Sequence, residues 1–288
     1  MEKTSECPSP SGILVIIGGK ESKGQDEAPD RKTPSGFVKS DILEKFAHLT
    51  GKRYANIQVV TSGSEEGGPM FEEYRKTFND LGHRAIGHVH HRVRQEVLED
   101  NTLIRKMKEA DAIFFAGGDQ LTLTSLYGGS PFLTQLKERY ISEKIVIGGT
   151  SAGAMALSTP MIYAGNEEVQ EVSGEIKVTT GLEFLRDVCV DTHFVHRSRF
   201  VRLAQVIATN PGCTGIGIEE DTAVIVHNGL EAEAIGSGVV IVILGSSIAQ
   251  SDMGNFTAKK PVSVRNLKVD ILAPGDKFHI DLTNPPHK

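Results

Sequence analysis

Three short apolar runs, each ended by glycines, limit what this chain can fold into. Residues 13–17 read ILVII and stop at Gly18-Gly19-Lys20. Residues 112–115 read AIFF and stop at Ala116-Gly117-Gly118-Asp119-Gln120. Residues 145–147 read IVI and lead into Gly148-Gly149-Thr150-Ser151-Ala152-Gly153-Ala154. A continuous β-branched or aromatic run without polar alternation fills a strand buried on both faces, and residues 57–60 read as one more. Between these runs apolar residues recur at helical spacing. Ile42, Leu43, Phe46, Ala47 and Leu49 follow a possible cap at Ser40, a second helix covers 70–81 and closes at Gly82, a third is capped by Asn101 and ends near Ala110, and a fourth spans 131–140. Residues 83–91 are ambiguous between strand and loop. The alternation predicts an α/β fold with a doubly wound, mostly parallel sheet flanked by helices, its site at the C-terminal ends of the strands.

Beyond Leu157 the pattern changes. Residues 175–180 and 189–194 read as extended, 199–209 as helix, and 215–219, 223–227, 239–244 and 269–272 as further strands. Turns fall at Asn228-Gly229 and Pro274-Gly275-Asp276. Additional antiparallel strands are therefore expected in the C-terminal part. With no internal repeat, low-complexity tract or linker, residues 12–288 are expected to form a single α/β domain behind a disordered N-terminus, residues 1–11.

Composition narrows the partners. A net charge of -6 argues against nucleic acid or an anionic membrane. The polar start MEKTSECPSPSG lacks the basic and apolar segments of a signal peptide, and no stretch approaches the ~18 apolar residues of a membrane span. Three cysteines (Cys7, Cys189, Cys213) form an odd, sparse set suited to a reducing compartment. The expectation is a cytoplasmic protein.

Gly149-Thr150-Ser151-Ala152-Gly153 spells G-x-S-x-G. Between a strand and a helix this spacing forces a sharp turn that lifts the serine Oγ clear of the backbone, beside amide groups that can stabilise an oxyanion. The same glycines also suit a turn that merely packs closely or holds a phosphate. An acyl-transfer serine needs a base, and the base needs an orienting acid. Among ten histidines, His193 stands out in Asp191-Thr192-His193-Phe194, followed by His196, Arg197, Arg199 and Arg202. The arginines read either as a solvated helix face or as bidentate carboxylate ligands. Downstream, Glu219, Glu220 and Asp221 offer three candidate acids after a short strand. Gly18-Gly19-Lys20 lacks the remaining residues of a P-loop. His83, His88, His90 and His91 lack a completing cysteine or carboxylate for a metal site, so no metal is expected there. Cys189, four residues before His193, fits an inert core position better than a nucleophile.

Taken in order, Gly117 to Gln120 (GGDQ), Gly148 to Ala154 (GGTSAGA), Asp191 to Leu203 (DTHF, then R-x-R-x-x-R-L) and Gly215 to Ala223 (GIGIEEDTA) resemble the cyanophycinase family. The resemblance runs from about residue 13 to at least residue 227. It implies a serine peptidase related in fold to dipeptidase E and to class I glutamine amidotransferases. Its substrate would be cyanophycin, a poly-aspartate backbone with arginine on each β-carboxyl, released as β-aspartyl-arginine dipeptides. By position it implies Ser151 as nucleophile, His193 as general base and Glu220 as orienting acid. It implies backbone oxyanion donors around Gly118, Asp119 and Ala152, and a substrate pocket of Gln120, Asp191, Thr192, Arg197, Arg199 and Arg202. Thr192 stands where some relatives have Gln, and Glu219 where Asp is frequent. The resemblance implies no cofactor and a homodimer. Strand alternation also selects Glu220, which continues the set of Ile216 and Ile218 and leaves Glu219 on the solvent face. Two other readings compete: a peptidase for short aspartyl or isoaspartyl peptides, and a non-catalytic binder of acidic small molecules, which would have no need of all three triad residues.

Overall fold

The computed structural model describes residues 9–23, 41–164, 176–251 and 263–280. The expected disordered N-terminus and the Ser40 cap lie mostly or wholly outside them; Ser11 N–H donates to Ile141 O at 3.1 Å. The first half of the chain alternates β1 (Ile13–Ile17), α1 (Asp41–His48), β2 (Asn56–Val60), α2 (Gly67–Asp80), β3 (Ala85–Val89), α3 (Arg94–Glu99), α4 (Leu103–Glu109), β4 (Ala112–Phe115), α5 (Gln120–Tyr127), α6 (Pro131–Ser142), β5 (Val146–Thr150) and α7 (Ala152–Ala156). These five strands lie in parallel, in the order β1-β5-β4-β2-β3.

Every residue of β1, β4 and β5 is buried, and their side chains divide by parity between two cores. Ile13, Val15, Ile17, Ala112, Phe114 and Val146 face one core, closed by α1 and α2. There Phe114 meets Phe46 edge-on, with ring centroids 5.3 Å apart. Leu14, Ile16, Ile113, Phe115 and Ile147 face the other core, shared with α3 to α7. Burying one such side chain contributes about 1.5–3 kcal/mol, which is why 13–17, 112–115 and 145–147 carry no polar residue.

The second half supplies β6 (Ser158–Thr159), β7 (Met161–Ala164), β8 (Lys177–Thr179), β9 (Leu185–Arg186), β10 (Val188–Thr192), α8 (Phe200–Thr209), β11 (Thr214–Ile218), β12 (Thr222–His227), β13 (Glu231–Gly236), β14 (Val240–Leu244), β15 (Gln250–Ser251), β16 (Val264–Arg265), β17 (Lys268–Leu272) and β18 (Lys277–His279). β12 pairs antiparallel with β1, and β13 and β18 extend the main sheet to eight strands. A second, six-stranded sheet has the order β17-β14-β11-β10-β6-β9. It is richer in antiparallel pairs, as the C-terminal sequence predicts, but β10 and β11 run parallel, connected through α8 in the manner of a βαβ crossover.

That parallel pair positions the site. Register pairs Ile17 with Thr150 in the main sheet and Thr192 with Ile218 in the second. His193 N–H donates to Gly18 O at 2.9 Å and Asp221 N–H to Gly19 O at 2.8 Å. The C-terminal ends of β1, β5, β10 and β11 are thereby stitched together. No helix among the described residues is long and apolar enough to cross a membrane.

Candidate active site

Ser151 stands alone between β5 and α7. Its φ of 51° and ψ of −119° place a non-glycine residue in sparsely populated space, a strain of about 1–3 kcal/mol that the surroundings must hold. Two backbone bonds hold it. Ser151 N–H donates to Ile17 O at 3.0 Å, and Met155 N–H donates to Ser151 O at 3.0 Å. Gly153 lets α7 press against the end of β4, where a Cβ would overlap the carbonyl oxygens of Phe115 and Ala116.

His193 follows β10 and Glu220 follows β11. His193 Nε2 lies 2.9 Å from Ser151 Oγ, and His193 Nδ1 lies 2.7 Å from Glu220 Oε1. An ionised carboxylate only accepts, so Nδ1 carries the proton and Nε2 is left to accept from the serine hydroxyl. The imidazole lies against Gly19, at φ 100°, where any Cβ would overlap Cε1 and Nε2. Burial lowers the His193 imidazole below its ordinary range, and the charges of Arg197 and Arg199 add to this against the Glu220 hydrogen bond. The imidazole is therefore an unprotonated acceptor at neutral pH. For Glu220, burial pulls upward, but hydrogen bonds from His193 and Lys20 outweigh it and leave the carboxyl below its ordinary range. Lys20 Nζ lies 3.0 Å from the same Oε1.

Beside Ser151 opens a cavity of about 190 Å³. Gly118, Gln120, Ala152, Thr192, Arg197, Arg199 and Arg202 line it, together with Met155, Ile162, Tyr163 and Ala164. Most of the expected pocket residues therefore meet at one place. The last three come from β7, a segment whose sequence drew no functional reading because it carries no charged or nucleophilic group. Gln120 Nε2 donates to Ile162 O at 2.9 Å. Thr192 Oγ1 is buried without a hydrogen-bond partner among the described residues.

Asp191 and Asp119 depart from expectation. Asp191 is fully buried, does not line the cavity, and lies within the second sheet. Its Oδ2 accepts from Arg202 Nε at 2.9 Å, and its Oδ1 from Arg202 Nη2 and from Arg199 Nη1, the latter at 3.2 Å. It holds the arginines and is not itself a pocket surface. Two guanidinium groups on one carboxylate still leave positive charge facing the cavity. The Asp119 N–H donates to Gly63 O at 2.7 Å, and its side chain caps α5 by accepting from Thr122 N–H. It is committed elsewhere, whereas Gly118 and Ala152 border the cavity.

The adjacent carboxylates separate by partner. β11 ends at Ile218 and is buried on both faces, so strand alternation does not extend to Glu219 and Glu220. Glu219 does not point into open solvent; its Oε2 accepts from Val195 N–H at 2.5 Å and His196 N–H at 3.0 Å, tying down the loop after His193. Asp221 Oδ2 accepts from Ser237 Oγ at 2.7 Å.

The upstream histidines each have a local partner. His83 Nδ1 accepts from Ala55 N–H at 3.0 Å, His88 and His90 flank Thr61 Oγ1, and His91 bridges Tyr127 and Asp100. Cys189 is fully buried, which pushes its thiol far above the ordinary range.

Comparison with known proteins places this chain in a family. The model of "Peptidase family S51" matches residues 35–233. A cyanophycinase of Geminocystis herdmanii is 29% identical over 266 residues, 92% of this chain and 93% of that protein. A cyanophycinase of Synechococcus elongatus is 30% identical over 277 residues, 96% of this chain and 82% of that protein. The crystal structure of a peptidase from an acI-B1 actinobacterium superposes with a TM-score of 0.63 at 19% identity, covering 94% of this chain and 98% of that one, a likeness of fold. With its fold matched and a family model spanning more than half its length, this chain belongs to peptidase family S51 and is a serine-type peptidase.

Proposed function

We propose that this peptidase hydrolyses the poly-aspartate backbone of cyanophycin and releases β-aspartyl-arginine dipeptides. The observation that carries the reading is one continuous contact chain, Ser151 Oγ to His193 Nε2 at 2.9 Å and His193 Nδ1 to Glu220 Oε1 at 2.7 Å, opening onto an arginine-lined cavity. As Ser151 Oγ attacks the scissile carbonyl carbon, His193 Nε2 takes the hydroxyl proton. The imidazolium that forms is stabilised by Glu220, while the carbonyl oxygen becomes an oxyanion facing the amide groups of Gly118 and Ala152. Collapse breaks the C–N bond, His193 returns the proton to the leaving amine, and an acyl-enzyme remains on Ser151. Water, deprotonated by His193, then attacks the ester; the proton passes back to Oγ and the carboxylate leaves.

Arg197, Arg199 and Arg202 supply positive charge for the substrate's carboxylates; Asp191 takes the Nε and Nη2 donors of Arg202 and shares Nη1 of Arg199, which fixes both guanidinium groups at the cavity wall. Holding the scissile carbonyl against Oγ converts an encounter into a positioned reaction. Two similar relatives are named cyanophycinase, which supports the polymer as substrate. The test is incubation of purified protein with insoluble cyanophycin and mass spectrometry of the soluble products. Release of β-aspartyl-arginine supports the reading. Intact polymer, with turnover of short aspartyl peptides instead, overturns the substrate assignment.

A further inference from the structure

The five residues from Ile17 to Glu21 contact all three triad residues or their chain neighbours, and the sequence motif they contain, Gly18-Gly19-Lys20, has no role in the reaction just described. Ile17 O accepts from Ser151 N–H, Gly18 O from His193 N–H, and Gly19 O from Asp221 N–H. The carboxylate of Glu21, buried, accepts from Thr150 Oγ1 and Tyr74 Oη, both at 2.5 Å, and so anchors the residue next to the serine. Lys20 is the one member of the strip whose side chain reaches the triad. Its backbone sits at φ 48°, which turns the chain so that the ammonium meets Glu220 Oε1 at 3.0 Å. That oxygen is the same one that faces His193 Nδ1 at 2.7 Å.

We propose that Lys20 is a positioning residue which shares Glu220 Oε1 with His193 and so limits how strongly that carboxylate holds the imidazolium. The inference rests on Glu220 being the orienting acid of His193. A carboxylate oxygen accepting from one donor alone concentrates its charge on that donor; a second, cationic donor draws part of it away. Without Lys20 the Glu220 charge acts on His193 alone, and the imidazole keeps its proton to higher pH. With Lys20 the base stays free at lower pH, and the carboxylate keeps its position between two donors. The Lys20 side chain is 62% exposed and that of Glu220 10%, so the ammonium is supplied from solvent without being buried, and its effect is of the screened kind.

Other charges face the pair. Arg197 and Arg199 act on His193 from the segment after β10. Glu219 and His196 place ligand atoms within 4.8 Å of those of Glu220, and Asp221 follows it in the chain. His196 is a second, exposed imidazole beside the pair, so the measurement must resolve the two rings.

The experiment is an NMR titration of the ring nitrogens of ¹⁵N-histidine protein, carried out in Ser151→Ala so that the readout does not depend on turnover, with His196→Asn included to remove the overlapping signal. Lys20→Met is expected to raise the His193 midpoint by roughly half a pH unit, the order of a screened ion pair. Lys20→Arg should restore it, and about 1 M salt should shrink the difference. In protein with Ser151 intact, the acid limb of kcat/KM should move in the same direction with KM little changed. Should Lys20→Met fail to fold, Lys20→Asn keeps the positive φ that asparagine tolerates. An unmoved or lowered His193 midpoint in the folded variant overturns the proposal while leaving the triad in place. Turnover retained by Ser151→Ala would instead remove the reading beneath it.

Discussion

Replacing Asp191 with Asn separates a pocket residue from a residue that builds the pocket. The carboxylate is fully buried and accepts four hydrogen bonds: from Arg202 Nε, Arg202 Nη2, Arg199 Nη1 and the backbone N–H of Thr192. An amide can replace one oxygen as acceptor, but its NH₂ must then face a guanidinium donor. Arg202 is 8% exposed, so its charge has little water to turn to. Removing one partner of such a pair costs about 3–5 kcal/mol. At about 2–4 °C per kcal/mol for a chain of this size, Tm should fall by roughly 6–20 °C. Denaturant unfolding followed by circular dichroism should show a lower midpoint with an unchanged m-value, and KM for cyanophycin should rise because Arg199 and Arg202 lose their support. If Asp191→Asn keeps the wild-type Tm and loses only activity, Asp191 contacts substrate directly and the structural role argued above is wrong.

Two further outcomes follow from the geometry. Gly19→Ala places a methyl group in the imidazole of His193 at a φ of 100°, and should lower kcat by more than about tenfold, on the scale of misplacing a reacting group by 1 Å; wild-type kinetics would show that the ring does not need that seat. Arg199→Lys removes the guanidinium whose Nη1 donates to both Asp191 Oδ1 and Thr192 O, and transition-state binding, read from kcat/KM, should weaken by about 1–2 kcal/mol, the order of a charge-assisted hydrogen bond. Steady-state kinetics on the polymer reads this, and an unchanged value would make the guanidinium dispensable.

Of the four unbroken apolar runs, 13–17 and 112–115 were legible to the residue, whereas the strand over 57–60 starts one residue earlier and the one read from 145–147 runs Val146–Thr150, through two glycines and a threonine that carry no strand signal. The helix over Gln120–Tyr127 was hidden by its two threonines, which favour strands as readily. The strand Glu231–Gly236 was hidden because its inward residues, Ala232, Ala234 and Gly236, are too small to mark a face. Residues 83–91 were ambiguous because β3 is an edge strand with a glycine at its centre. Asn101 is not the cap it resembled; Thr102 occupies that position, and Asp100 Oδ1 accepts from its N–H and Oγ1.

At the site, motif spacing brought Ser151, His193 and the acidic triplet to attention, but pairing across strands decides their neighbours. Spacing alone cannot show that Asp191 turns inward to the arginines eight and eleven residues on. Glu220 reaches His193 because the turn after Ile218 carries it there, a geometry that the two-residue period of a strand does not describe. Lys20 lay in a motif that reads only as an incomplete phosphate loop, and its relation to Glu220 exists only once β1 and β11 end side by side.

The central claim is that Ser151 attacks and His193 and Glu220 activate it. The most direct measurement is the rate of β-aspartyl-arginine release from cyanophycin by wild type, Ser151→Ala and Glu220→Gln, with folding of each checked by circular dichroism. Ser151→Ala should release no dipeptide above background while still binding the polymer, and Glu220→Gln should lose roughly 10²–10⁴ in kcat, the scale set by the amide substitution in the serine-protease triad. Substantial release by folded Ser151→Ala, or near wild-type kcat in Glu220→Gln, would contradict the account.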